Sequence, residues 1–283
     1  MRVSTTVSEE STSRFVEKDG VHIHINEAGE GHPVVFLHGS GPGATGWSNF
    51  GPNITALSRR FRTIAIDMPG WGRSDVEIPG GGTLATVVAR LLDTLGLERA
   101  ALVGNSLGGM VALAVAVEHP DRCSHLVTMG APTPGINVFS PSGMDSEGLR
   151  VLVATYRDPS PASFKRLVEV MCFDRKFATD ELAKERSENA LERPEQLQAF
   201  LEWKLFRLPS PEVVASNLPK LEVPTLAIHG RNDRTVHFEN SLRLVSTIPN
   251  SRLILLNRCG HWAQLEHAEE FNRLVGSFIA EAA

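Results

Sequence analysis

Residues 100–117 read AALVGNSLGGMVALAVAV. The opening run is short and apolar, as in a strand buried on both faces. It breaks at Gly104-Asn105-Ser106-Leu107-Gly108, a G-x-S-x-G pattern, and an apolar helix follows. Small residues on both sides let the chain turn sharply and hold Ser106 on a strained elbow. Its hydroxyl then stands above the sheet at the positive end of the next helix. The plain alternative is a serine in a tight glycine turn; the flanking strand and helix favour a nucleophile.

Outward from the elbow, apolar runs at 21–26, 33–37, 62–67, 125–130, 224–229 and 252–257 have strand length and composition. Between them the pattern changes period. Leu84, Val87, Val88, Leu91, Leu92 and Leu95 recur at helical spacing, and Phe271, Leu274, Val275, Phe278 and Ile279 do the same near the end. Alternating strands and helices predict a mostly parallel sheet with helices on both faces. Residues 133–212 break the alternation and contain no convincing strand. Helical segments are expected there at 161–171, 179–191 and 194–206, so this stretch reads as a helical cap. The core then comprises 14–132 and 213–283, preceded by a polar tail over 1–13 expected to be mobile.

Composition bounds the function. The chain has 283 residues, 42% apolar and 22% charged, with a net charge of −5. No block of like charges suggests nucleic acid, and the longest apolar run, Met110–Val117, is too short to cross a bilayer. The first residues lack the apolar core of a secretory signal. Three widely spaced cysteines, Cys123, Cys172 and Cys259, fit a reducing cytoplasm better than a disulfide framework.

A serine nucleophile needs a base, and the base needs an orienting acid. The order expected after such an elbow is Ser, Asp, His. Asp233 follows the run 224–229 and His261 follows 252–257, which puts both at the sheet edge that carries Ser106. Asp67 is the rival acid. An oxyanion needs two backbone N–H donors. Leu107 is one candidate, and the small-residue loop 38–43 supplies the other at Ser40, with Gly41 next. His38 is expected to order this loop. The same loop holds a dinucleotide-type pattern, Gly41-Pro42-Gly43-Ala44-Thr45-Gly46, with Asp67 lying 21 residues beyond Gly46. An NAD(P)-dependent oxidoreductase is therefore the rival from another class, although that reading leaves Ser106, Asp233 and His261 unused. His22 and His24 share a strand face without a third ligand, so a solvated strand is expected rather than a metal. His237 and His267 have no motif support. Met110, Met144 and Met171 read as core or pocket fillers.

HGSGPGATGWSNF (38–50), DMPGWGRSD (67–75), GNSLGG (104–109), GRNDRTV (230–236) and RCGHWAQLEHAEEFNRLV (258–275) resemble the meta-cleavage product hydrolases. These are α/β-hydrolase-fold enzymes that hydrolyse carbon–carbon bonds in aromatic degradation. The resemblance implies an eight-stranded, mostly parallel sheet with a helical cap, no cofactor and no metal. It also implies a homo-oligomer, dimeric or larger. The implied substrate is a 2-hydroxy-6-oxo-hexa-2,4-dienoate, cleaved between C5 and C6 to 2-hydroxypenta-2,4-dienoate and a carboxylic acid after ketonisation of the dienol. By the same resemblance Ser106 is the nucleophile, His261 the base and Asp233 its partner. Arg186, in ATDELAKER, would bind the carboxylate and 2-oxo groups, where a planar guanidinium suits better than a lysine. Asn49 and Asn105 would donate to the polar end of the dienoate, and Trp262 would pack beside it. Thr235, Met171, Cys172 and the short segment 76–83 depart from the family pattern where the tail beyond C6 would lie. A carboxylesterase on the same fold is the alternative, and an ester of an uncharged acid would not need Arg186.

Overall fold

The computed structural model describes residues 6–18, 20–76, 82–141 and 146–281. Met144 and most of the segment 76–83 lie outside them. Eight strands form one sheet: β1 (Ser13–Lys18), β2 (Val21–Ala28), β3 (Pro33–Leu37), β4 (Arg62–Ile66), β5 (Ala100–Asn105), β6 (Cys123–Met129), β7 (Thr225–Gly230) and β8 (Ser251–Leu256). Their order is β1-β2-β4-β3-β5-β6-β7-β8. β2 runs antiparallel to β1 and β4, and the other pairings are parallel.

The central strands β5, β6 and β7 are buried along their whole length, which is why their sequences are continuous apolar runs. Within β3 the pleat sends Val35 and Leu37 to one core and Val34 and Phe36 to the other. One face is covered by α3 (Leu84–Thr94) and α4 (Leu107–Glu118), the other by α2 (Gly46–Leu57) and α12 (Ala268–Glu281). α4 is apolar all round because it packs against β3, β5, β6 and α3 together.

The polar tail expected over 1–13 is too long. Glu9–Thr12 form a helical turn, α1, whose Thr12 is buried, and Ser13 opens β1. The β1 sequence, SRFVEK, gave no apolar run because an edge strand buries only part of its surface. β1 also covers His24. The solvated-strand expectation therefore holds for exposed His22 but fails for His24, which is 1% exposed between Asp67 and Ser13.

Between β6 and β7 lie α5 (Glu147–Arg157), α6 (Pro161–Met171), α7 (Asp180–Leu191), α8 (Pro194–Leu201) and α9 (Pro211–Asn217). Ser146, Ser160 and Thr179 cap the first three with their hydroxyls, which satisfies N–H groups that would otherwise be orphaned. α5 was not anticipated, although Leu149, Leu152, Val153 and Tyr156 have helical spacing. The helix expected to reach 206 stops at Leu201, and Trp203 takes a positive φ of 59°. Two clamps hold these helices to the sheet. Arg193 and Gln196 donate to the carbonyls of Gly72 and Ser74. Glu266 accepts the N–H groups of Phe173 and Asp174 after α6 and of Gly260 beside His261. The remaining helices are α10 (Glu239–Thr247) beside β7 and β8, and α11 (Ala263–Glu266). No helix among the described residues is long and apolar enough to cross a membrane.

Candidate active site

Ser106 joins β5 to α4 at φ 53° and ψ −116°. Such a conformation costs a non-glycine residue about 1–3 kcal/mol and persists only when its surroundings enforce it. The enforcement is visible. Ser106 N–H donates to the Met129 carbonyl at 2.8 Å, which ties the elbow to β6. A Cβ on Gly108 would sit 2.0 Å from the Leu37 carbonyl oxygen, and one on Gly104 would sit 2.2 Å from the Gly108 oxygen. The glycines of G-x-S-x-G are thus required by close backbone approach on both sides of the serine.

Asp233 lies in the loop after β7, and His261 lies beyond β8. The His261 ring nitrogen Nδ1 is 2.7 Å from Asp233 Oδ2. An ionised carboxylate only accepts, so Nδ1 carries the proton and Nε2 is left as the basic face. The other Asp233 oxygen accepts the N–H groups of Thr235 at 2.7 Å and Val236 at 2.9 Å. Burial alone would raise the Asp233 pKa. The His261 imidazole, with the hydrogen bonds from His229 and His261, outweighs burial and holds it well below the usual carboxylate range. Gly130 lets the pair close up: its φ is 52°, and a Cβ there would sit 2.7 Å from His261 Nδ1.

His229 is a contact that sequence reading missed. It was assigned only to a strand, and nothing in the local pattern marks it as a neighbour of Asp233. The rival acid, Asp67, is committed elsewhere. It accepts the N–H groups of Gly46 at 2.7 Å and Arg73 at 2.9 Å and pairs with His24 at 2.9 Å. The Gly46 amide at the start of α2 is therefore occupied by a carboxylate, in the very place where a dinucleotide fingerprint would offer it to phosphate.

The loop 38–43 sits across from the elbow. His38 Nδ1–H donates to the Gly39 carbonyl at 2.7 Å, and its Nε2 accepts the Met68 N–H at 2.9 Å. Burial pushes its pKa down, so it stays neutral and serves to shape the loop. The chain's single tyrosine, Tyr156 of α5, donates its hydroxyl to the Ser40 carbonyl at 2.8 Å and accepts from Trp71 Nε1 at 2.9 Å. A cap helix therefore fixes the peptide between Ser40 and Gly41, which carries the Gly41 N–H and adjoins the Ser40 donor. Tyr156→Phe is expected to lower kcat about tenfold with little change in KM, less than the loss of an oxyanion donor itself. Steady-state kinetics of the purified variant test this.

Ser106, His261, Ser40, Gly41, Asn49, Asn105, Arg186 and Trp262 all line one cavity. Leu149 and Leu152 of α5 and Leu167 and Met171 of α6 close it from the cap side. Two expectations are corrected. Asn105 Nδ2 already donates to the carbonyls of Met129 and His261, which leaves only buried, unpartnered Oδ1. Asn49 Nδ2 donates back to Thr45 O and Ser48 Oγ. Both amides border the cavity, but their donors are spent on the fold, so each offers an acceptor instead.

Arg186 projects from α7 and lies over the Trp262 ring, its guanidinium carbon 4.7 Å from the centroid. Its Nε is buried without a hydrogen-bond partner, and among the described residues no carboxylate forms an ion pair with it. Burial pushes its pKa down. The cation–π contact contributes about 1–2 kcal/mol, and the Nε–H is left buried without an acceptor.

An elbow serine, a histidine–carboxylate pair and a cap over the carboxyl edge of a parallel sheet define a hydrolase class. A family profile described as the alpha/beta hydrolase fold matches residues 32–268. A curated 2-hydroxy-6-oxononadienedioate/2-hydroxy-6-oxononatrienedioate hydrolase of Burkholderia vietnamiensis is 43% identical over 281 residues, 96% of this chain and 97% of that one. A meta-cleavage product hydrolase of Pseudomonas fluorescens IP01, solved in complex with acetates, superposes with a TM-score of 0.84 at 33% identity over 95% of this chain and 98% of its own. The 2-hydroxy-6-oxo-6-phenylhexa-2,4-dienoate hydrolase of Rhodococcus sp. strain RHA1 gives 0.78 at 29% identity, over 95% and 100%. The chain belongs to the α/β hydrolase fold family and, within it, to the meta-cleavage product hydrolases. Its reaction class is the hydrolysis of carbon–carbon bonds in ketonic substrates.

Proposed function

We propose that the protein cleaves the C5–C6 bond of a 2-hydroxy-6-oxo-hexa-2,4-dienoate to 2-hydroxypenta-2,4-dienoate and a carboxylic acid, with Ser106, His261 and Asp233 as its triad. The observation that carries this reading is Arg186, a half-buried guanidinium whose Nε is buried without a hydrogen-bond partner, in the same cavity as Ser106 and His261. An ester of an uncharged acid leaves that charge uncompensated; the planar carboxylate and 2-oxo group of a dienoate match its fork.

The roles follow. Arg186 holds the C1 carboxylate and favours the keto form, in which C5 is a competent carbon leaving group. Ser106 attacks the C6 carbonyl as His261 takes its proton. The developing oxyanion is held by the N–H groups of Ser40 and Leu107. When C5–C6 breaks, the electron pair passes from C5 through C4 and C3 to the C2 oxygen, which takes a proton to give the 2-hydroxydienoate. A water deprotonated by His261 then attacks C6, breaks the Ser106 ester and releases the carboxylic acid. The tail beyond C6 lies against Leu149, Leu152, Leu167 and Met171. Among the described residues Arg186 is the one cation on the cavity wall, which supports an uncharged tail. The curated relatives are named for dioates, which carry a second carboxylate in the tail.

The test mixes the protein with the yellow ring-fission products of 3-methylcatechol and 2,3-dihydroxybiphenyl and with the nonadienedioate. Bleaching to hydroxypentadienoate plus acetate or benzoate is expected, faster than cleavage of the dioate. Turnover of nitrophenyl esters with no bleaching would instead establish the esterase alternative. Because the proposed nucleophile is a serine, chelation of divalent metals is expected to leave the rate unchanged. A loss of activity in chelator, restored by a metal ion, would contradict it.

A further inference from the structure

Oδ2 of Asp233 faces two imidazoles. His229, the penultimate residue of β7, is fully buried. Its Nε2 lies 2.8 Å from the Val236 carbonyl oxygen and 3.2 Å from Asp233 Oδ2. Both partners only accept, so Nε2 must carry the proton. Its Nδ1 lies 2.7 Å from the Ser241 hydroxyl of α10, which fixes the ring. The surroundings therefore hold His229 with its Nε2–H as a donor.

The same Asp233 oxygen accepts from His261 Nδ1 at 2.7 Å, while the other is taken by the N–H groups of Thr235 and Val236. The carboxylate is saturated by four donors and cannot rotate without losing one. An oxygen shared between two N–H groups also offers less negative charge to each. We infer that His229 is a positioning residue that sets the basicity of His261 through Asp233. It touches neither Ser106 nor the cavity wall.

The groups that face this relay are few. From the loop after β7 comes Asp233 itself, and from α10 comes Ser241. From the segment after β8 come His261 and the buried Cys259, whose thiol burial pushes up and keeps neutral. Glu239 at the start of α10 is turned away to the N–H groups of Val138 and Phe139, and Arg234 pairs with Glu147. Glu266 of α11 accepts the Gly260 N–H beside His261. Within the relay, a change at Asp233 reaches His261 through the 2.7 Å hydrogen bond to Nδ1.

This inference rests on the reading of His261 as the base, and its test has an arm that needs no turnover. The protein, its His229→Phe and its His229→Gln variants are labelled with 15N-histidine. His261 is titrated by NMR, and kcat/KM is measured across pH with the ring-fission substrate. Loss of the Nε2–H donor concentrates charge on the Asp233–His261 hydrogen bond. In His229→Phe the His261 midpoint and the acid limb of kcat/KM are expected to move up by about half to one pH unit, with kcat down about tenfold. Glutamine keeps an N–H donor and is expected to return the midpoint most of the way. Should His229→Phe fail to fold, Ser241→Ala weakens the donor indirectly and is expected to shift the midpoint the same way by less. A folded variant lacking the donor with an unmoved midpoint overturns the inference, as does a glutamine variant indistinguishable from phenylalanine. A shifted NMR midpoint without dienoate turnover would sink the proposed reaction and leave this coupling standing.

Discussion

Ser106→Ala is expected to abolish turnover, by at least about a thousandfold, while the dienoate still binds. Alanine keeps the Cβ and inherits the backbone conformation that Met129 and the flanking glycines impose. The fold is therefore retained, and only the hydroxyl is lost. Arg186, Trp262 and the apolar wall are untouched, so the substrate's absorbance is expected to change on mixing without release of the acid product. Rapid-mixing absorbance followed by product analysis separates the two events. Hydrolysis at a wild-type rate would remove Ser106 from the nucleophile role.

Arg186→Ala is expected to lower kcat/KM by about a hundred- to a thousandfold, the worth of two charge-assisted hydrogen bonds at about 1.5–3 kcal/mol each, less their coupling. Stability is expected to respond in the opposite sense. Its Nε is buried without a hydrogen-bond partner, so its removal relieves the desolvation cost of that atom, which the contact with Trp262 only partly offsets. An unchanged or higher Tm alongside the kinetic loss distinguishes a binding residue from a packing one. Arg186→Lys keeps the charge but not the fork and is expected to recover only part of the rate. Unchanged kinetics in the alanine variant would take Arg186 out of the site. Such a cost in stability for a function-ready charge is the pattern expected where a site is completed by its ligand.

What could be read without the structure was what is encoded locally. The elbow is local: five residues dictate its geometry, and the glycines of 104–108 are explained by contacts made where the turn forms. The buried strands were visible because each carries its own apolar run, and β1 was not because half its surface faces water. α5 was missed although its spacing is regular, since it follows a loop-rich passage that masked its start. Asp233 and His261 were placed at one edge by strand order, a property of topology. The choice of Asp233 over Asp67 could be argued in advance but needed the contact of 2.7 Å to be seen.

Other features depend on residues far apart in the chain, and no window of sequence contains them. Whether an asparagine amide still has a donor to offer depends on which carbonyls lie beside it, and for Asn105 these come from β6 and the loop after β8. Tyr156 reaches Ser40 across 116 positions of sequence. His24 is buried because β1 pairs across it, and Arg186 has no ion pair because no carboxylate among the described residues folds against it. The sequence by itself determined the elbow, the sheet and the candidate chemistry, since secondary structure and turn geometry follow from neighbouring residues. Only the tertiary structure decided which polar groups are spent on the fold and which stay free, because satisfaction of a buried donor or acceptor is settled by packing between elements.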